Sequence, residues 1–299
     1  MKGIYKIIIL LLISLTLLSA GVAAYTIDGD TSDWGLNLAT DAWSLPATWV
    51  PIKTSVDWIV EDNIDGATYP GHTDWSGYSA TGVHIKGVGP SYAPYSEPKT
   101  SGWIPPTGGE HYDIEALYFD DDRRNAYFLI ITSMPDGTTG IIRGDLALDV
   151  DGNPATGDKG FEYGVKLTGA DKGKVYENPD WIGSTGSGRV PYDGPVSMKS
   201  GTGIYVGDAE LATASLGVID NGRGNYVIEM AILKGLIGAP AQGPSSGGMH
   251  TSLTCANDII TLGEFVWDFP YEIPEFATTA IPAFIAIGGY LALRRRREE

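Results

Sequence analysis

Apolar and polar positions alternate along much of this chain with a period of two, the spacing of a half-buried strand. In YDIEALYFDDDRRNAYFLIITS, Ile114, Ala116 and Tyr118 mark one such strand. From Tyr127 to Ile131 the run is almost wholly apolar, which predicts a strand covered on both faces. The acidic and basic stretch from Asp120 to Asn125 lies between them and predicts a hairpin connection. GDLALDVDGN places Leu146, Leu148 and Val150 on one face; FEYGVKLTG, from Phe161 to Gly169, alternates again. NYVIEMAI sets Tyr226, Ile228 and Met230 on one side, and HTSLTCANDIITLG, from His250 to Gly263, predicts the last strand or two.

Helical periodicity is scarce. Only Ala209 to Ala214 and Leu233 to Ile237 offer room for a short helix. Residues 37–107 are rich in Gly, Pro, Ser, Thr, Trp and Tyr and predict long loops with a short strand such as SVDWIV, inserted over one face. The opening YTIDGDTSDW predicts a short strand and then a turn. Short strands separated by Gly-rich turns predict an all-β fold, an antiparallel β-sandwich with long loops, over residues 25–269 as one domain.

The two ends follow different rules. Lys2 and Lys6 precede a long apolar stretch, and Val22 and Ala24 stand at the small-residue positions read by a signal peptidase. This predicts a signal peptide over residues 1–24 and export. Residues 277–293 carry no charge and, at about 1.5 Å per residue, reach most of the way across a hydrocarbon core. Arg294, Arg295, Arg296 and Arg297 follow at once, so residues 294–299 form a basic cytoplasmic tail behind a transmembrane helix, with the rest of the chain outside.

Charge narrows the partners. The chain holds 20 Lys and Arg against 37 Asp and Glu, a net charge of −17. Six of the basic residues sit in the two ends, so the part between them is more acidic still. Such a surface repels nucleic acid and attracts cations. Cys255 is the only cysteine, which excludes an intrachain disulfide and cysteine-rich zinc or haem attachment motifs.

Ile273-Pro274-Glu275-Phe276, then an apolar run, then four arginines, resembles the PEF-CTERM sorting signal of archaeal surface proteins. The resemblance implies that Pro274, Glu275 and Phe276, within a linker over 270–276, are read by an archaeosortase that cuts near the triplet and transfers the chain to a surface acceptor. Membrane and archaeosortase are the implied partners. The IDGD and DW stretches at Asp28 to Trp34 resemble the start of family 9 carbohydrate-binding modules and their DOMON relatives, which are β-sandwiches. That resemblance implies a cell-surface glycan as a further partner.

In DVDGNPATGDKGFE, Asp149, Asp151 and Asn153 alternate, and Asp158 and Glu162 follow. Oxygen ligands at positions one, three and five begin many calcium loops. The stretch departs from an EF-hand: Pro154 stands where its glycine would be, and Gly160 where its bidentate glutamate would be. A polar turn whose Asp and Asn side chains bond the backbone explains the same residues. Calcium through these five residues is thus one reading and a solvated turn the other. Asp120, Asp121 and Asp122 read as a solvated hairpin tip beside Arg123 and Arg124.

Eight tryptophans invite a comparison with sugar-stacking platforms, with Trp75 and Trp103 as the positions to test; aromatics that fill a core are the alternative. Met249 and His250 are adjacent, so on a strand they face opposite ways and cannot share one haem iron. Asp113 and Glu115 share a strand face, but no nucleophile elbow or zincin motif accompanies them, so no catalytic residue is assigned. The chain reads as a non-enzymatic surface protein. A surface-displayed carbohydrate-binding module is the alternative, and an extracellular hydrolase stands third.

Overall fold

The computed structural model describes residues 25–38, 47–61, 83–87, 114–135, 143–184, 192–220, 223–240, 245–254 and 258–269. The predicted signal peptide, sorting triplet, apolar span and basic tail lie outside these residues, as do Trp75 and Trp103. Among the described residues no helix is long and apolar enough to cross a membrane.

Among the described residues fourteen strands follow in order: β1 (Asp57–Glu61), β2 (Val83–Ile85), β3 (Ile114–Asp121), β4 (Asn125–Thr132), β5 (Leu146–Asp149), β6 (Tyr163–Val165), β7 (Lys174–Glu177), β8 (Trp181–Ser184), β9 (Tyr192–Met198), β10 (Ile204–Asp208), β11 (Glu210–Asp220), β12 (Arg223–Leu233), β13 (Ser245–Ser252) and β14 (Ile259–Trp267). One six-stranded sheet runs β11-β12-β4-β3-β1-β2 and a second runs β10-β7-β6-β5-β13-β14; β8 and β9 make a separate ribbon. All named pairings are antiparallel. The fold is all-β and sandwich-like, as the alternation predicts.

The inner faces of the two sheets meet in one apolar core. Leu117, Phe119, Phe128, Ile130, Ile228 and Met230 come from the first sheet; Leu146, Leu148, Met249, Leu262 and Phe265 come from the second. Phe119 stacks on Phe265 with ring centroids 3.7 Å apart, joining the sheets at their centre. The outer face of the first sheet is also buried. Tyr118, Tyr127, Leu129, Ile131 and Val227 pack there against Tyr25, Trp34, Leu36 and Trp49. This explains the unbroken apolar run of β4: a strand covered on both faces has no position left for a polar side chain. The second sheet is covered on its outer face by the β8–β9 ribbon, where Trp181 and Met198 pack on Ala147.

Several expectations are corrected. Ala209 to Ala214 is not helical: residues 210–220 form β11, the long partner of β12. Of the two stretches read as possible helix, the one at Leu233 to Ile237 coils, over Lys234–Leu236, as a 3-10 turn. The chain at Tyr25 does not open on a strand; it leads into a 3-10 turn over Thr31–Trp34, capped by the Asp30 side chain on the Ser32 N–H. The turn is held in place by side chains distant in sequence, so local pattern could not separate it from a strand and turn. The alternation of β3 breaks at a register shift between Ile114 and Ala116. Asp120 and Asp121 are buried, and the exposed tip of that hairpin is confined to Arg123 and Arg124.

Candidate metal centre

Asp149 closes β5, and Glu162 stands immediately before β6. β5 and β6 pair through Leu146 with Val165 and Leu148 with Tyr163, which returns the intervening loop to its starting point. The Asp149, Asp151 and Glu162 carboxylates thereby converge, each offering an oxygen, all within 4.8 Å of one another.

The loop backbone sets their aim. Asp149 Oδ1 accepts the Gly152 N–H at 2.7 Å and the Asn153 N–H at 3.2 Å. Asp151 Oδ1 accepts the Asn153 N–H at 2.9 Å, and Glu162 Oε2 accepts the Val150 N–H at 2.9 Å. Gly157 makes the close return possible. Its φ is +64°, and a Cβ there would lie 2.3 Å from the Phe161 carbonyl oxygen.

Thr156 lies between the carboxylates. Its hydroxyl stands 3.0 Å from Asp151 Oδ1, 2.7 Å from Glu162 Oε1 and 2.7 Å from the Asn153 carbonyl oxygen. A hydroxyl has one proton, so only one of these acceptors is served at a time. The rest is oxygen facing oxygen. Burial holds the Asp149 carboxyl above the usual carboxylate range, and the negative charges of Glu162 and Asp151 add to the effect. A cation placed among the three would remove both penalties. The donor set is oxygen only, which suits a hard divalent cation such as calcium, magnesium or manganese over a soft, thiolate-preferring metal.

The other two predicted ligands each hold a backbone N–H. Asn153 Oδ1 accepts the Ala155 N–H at 3.1 Å, closing its own turn. Asp158 Oδ2 accepts the Trp181 N–H at 2.6 Å and so ties the loop to the β8–β9 ribbon. The alternation at positions one, three and five identified the loop, but Thr156 as the shared donor carried no signal in the spacing.

A second group, Asp120, Asp121 and Asp268, also draws three carboxylates together. Its charge is already opposed from within the fold. The buried Lys234 ammonium donates to Asp121 and, at 2.6 Å, to the Phe269 carbonyl oxygen. Asp120 accepts from the Tyr25 hydroxyl and, at 3.1 Å, from the Ser55 hydroxyl. These carboxylates pin the segments at Tyr25 and at Asp268–Phe269 onto the β3–β4 hairpin.

The remaining candidates fall into structural places. Trp34, Trp49, Trp58, Trp181 and Trp267 are all buried, so the described tryptophans fill the interior. Glu115 is fully buried; Asp113 lies outside the described residues. Met249 packs between the sheets, whereas His250 faces the ribbon side, with its Nδ1 2.7 Å from the Thr261 hydroxyl and its ring 5.8 Å from that of Phe161. No protein-family model, curated protein or solved structure matches this chain.

Proposed function

We propose that this protein is a non-enzymatic surface-display protein of the archaeal type, exported and then held at the outer face of the cytoplasmic membrane through its C-terminal sorting signal. The observation that carries the reading is the way the sandwich ends. Asp121 accepts the Asp268 N–H at 3.1 Å and the Phe269 N–H at 3.3 Å, while Lys234 holds the Phe269 carbonyl. Pro274 follows five residues after Phe269. β14 is the outer strand of its sheet, so tension on the tail would tend to peel it away. A buried ion pair at the exit resists that peeling and suits a domain tethered by its C-terminus.

In this reading calcium, drawn from the exterior by the acidic surface, sits among Asp149, Asp151 and Glu162. It would stiffen the β5–β6 loop and the ribbon that Asp158 ties to it. Carbohydrate binding would fall to Trp75 and Trp103, and no described tryptophan adds a stacking face.

Mass measurement of the protein purified from its native membrane tests the display reading. Loss of residues 1–24 and of the arginine tail is the expected result. A chain that keeps its C-terminal peptide and is found in the cytosol overturns it.

A further inference from the structure

Lys234 and Asp121 meet in a place closed to water. Their side chains are 0% and 1% exposed, and the ammonium is in contact with Asp121 Oδ2. Neither backbone is free to drift. Asp121 ends β3, paired with Ala126 of β4, and Lys234 opens the 3-10 turn with its N–H on the Arg124 carbonyl at 2.8 Å. The Trp267 ring centroid lies 5.4 Å from Lys234 Nζ. Behind that ring stand Phe119 and Phe265, with centroids 5.1 and 5.3 Å from it.

The groups around the pair are arranged for more than charge pairing. Asp121 Oδ1 accepts the Asp268 N–H at 3.1 Å, and Oδ2 accepts the Phe269 N–H at 3.3 Å. Such donors draw electrons from the carboxyl carbon and stabilise negative charge that develops on its oxygens. The Phe269 carbonyl accepts from the same Lys234 nitrogen at 2.6 Å and so fixes its position. Oxygens of Asp120, Asp121 and Asp268 lie within 4.8 Å of one another. Asp120 is engaged by the Tyr25 and Ser55 hydroxyls and the Asp121 N–H. Asp268 is exposed, so it can exchange protons with water. Partial burial, then the charges of Asp57 and Asp120, raise its carboxyl, and burial pushes that of Asp121 up to about 6. Both hold a proton more readily than an ordinary carboxylate does.

We infer that Lys234 and Asp121 join covalently, through an isopeptide bond from Lys234 Nζ to Asp121 Cγ. The ion pair is the state from which the reaction starts. One proton passes from the ammonium to the carboxylate, leaving an amine and a carboxylic acid, the forms an apolar interior favours. The amine lone pair attacks Cγ, and the charge that develops on Oδ1 is held by the Asp268 N–H. The Asp268 carboxylate takes a proton from the nitrogen and returns it to Oδ2, which leaves as water. A C–N bond forms, a C–O bond breaks, and nothing is oxidised or reduced. The reaction takes no cofactor and no second substrate. The bond locks the end of β3 to the turn after β12. It forms or fails wherever the chain resides, so it does not rest on the surface-display reading.

The test is tryptic mapping by mass spectrometry of the full chain, purified from cells and then denatured. The expected result is a fragment that joins the Asp121 segment to the Lys234 segment, lighter than the two together by one water and uncut after Lys234. Lys234→Arg and Asp121→Ala should both lack it. Asp268→Asn tests the chemistry apart from folding, because it keeps the backbone N–H and alters an exposed side chain. It should yield several-fold less of the joined fragment at the same time after expression, with an unchanged circular dichroism spectrum. Wild-type protein that is cut after Lys234 and gives no joined fragment overturns the inference. An Asp268→Asn protein that links as fast as wild type overturns the proton route through Asp268.

Discussion

The indole N–H of Trp34 donates to Glu229 Oε1 at 2.9 Å, joining residues 195 apart in sequence. The other oxygen of Glu229 accepts the Asp28 N–H at 3.1 Å and the Gly29 N–H at 2.9 Å. One buried carboxylate on β12 therefore holds the whole IDGDTSDW segment on the first sheet. Burial keeps this carboxyl above the usual carboxylate range, against the lowering effect of its three donors. Glu229→Ala should strand those donors in a closed interior and lower stability by on the order of 3 kcal/mol, read by urea unfolding. Glu229→Gln, which keeps an acceptor, should lose less. Equal unfolding midpoints for wild type and Glu229→Ala would contradict this role.

Gly29 sits where that segment meets β11. Its φ is +82°, and a Cβ would lie 2.7 Å from Ala214 Cβ. Gly29→Val combines backbone strain with a clash against a strand that cannot yield, so it should cost about 2 kcal/mol or more. Thermal unfolding reads the loss. A double variant with Ala214→Gly should recover part of it, because the clash is removed and the strain remains.

His250 is buried and neutral, its pKa pushed down to about 4 by desolvation, with a hydrogen bond to the Pro195 backbone opposing the shift. A group with a depressed folded pKa binds its proton more readily when unfolded. The stability tied to it is therefore full above the unfolded value of 6.5 and is lost as the pH falls toward 4. The size of the shift corresponds to about 3 kcal/mol. His250→Gln should show a flatter stability profile than wild type between pH 6.5 and 4 in denaturant titrations. Parallel profiles would show that the proton uptake lies elsewhere.

Asp121 runs the other way. Burial pushes its carboxyl up to about 6, against the lowering by Lys234 and by the Phe269 and Asp268 N–H groups. A raised folded pKa contributes stability that is present below the unfolded pKa of 3.8 and lost as the pH rises through about 6. At neutral pH the ion pair with Lys234 is what makes the buried charge tolerable. Lys234→Met should therefore cost about 3–5 kcal/mol at pH 7, as expected for one uncompensated buried charge, and less at pH 5. Chemical unfolding at the two pH values measures the difference.

Calcium should raise the melting temperature of the wild type. At 100 times its dissociation constant a ligand adds about 2.7 kcal/mol to stability. The shift should vanish in Asp151→Ala and shrink in Thr156→Val, which loses the shared hydroxyl. No shift with calcium, or an equal shift in Asp151→Ala, would leave the loop as a solvated turn.

The alternation of apolar residues sufficed to identify an all-β chain, the β3–β4 hairpin, strands at β5, β6 and β12, and extended chain where β13 ends and β14 begins, because a sheet with a buried face imposes its period on the sequence directly. The Asp149 loop was legible for a related reason: carboxylates at alternate positions in a Gly-rich turn are a local arrangement. What lay beyond reach depended on residues far apart in the chain. β11 looked helical because its small residues carry little strand signal, and its pairing with β12 outweighs that local preference. The burial of Asp120 and Asp121 follows from Tyr25 and Lys234, the first 95 and the second 113 residues away from its partner. Likewise, Thr156 joins the carboxylates only because the β5–β6 pairing folds the loop back. Local periodicity thus settled which segments extend, while long-range contacts alone decided which polar groups became buried, paired or gathered at one site.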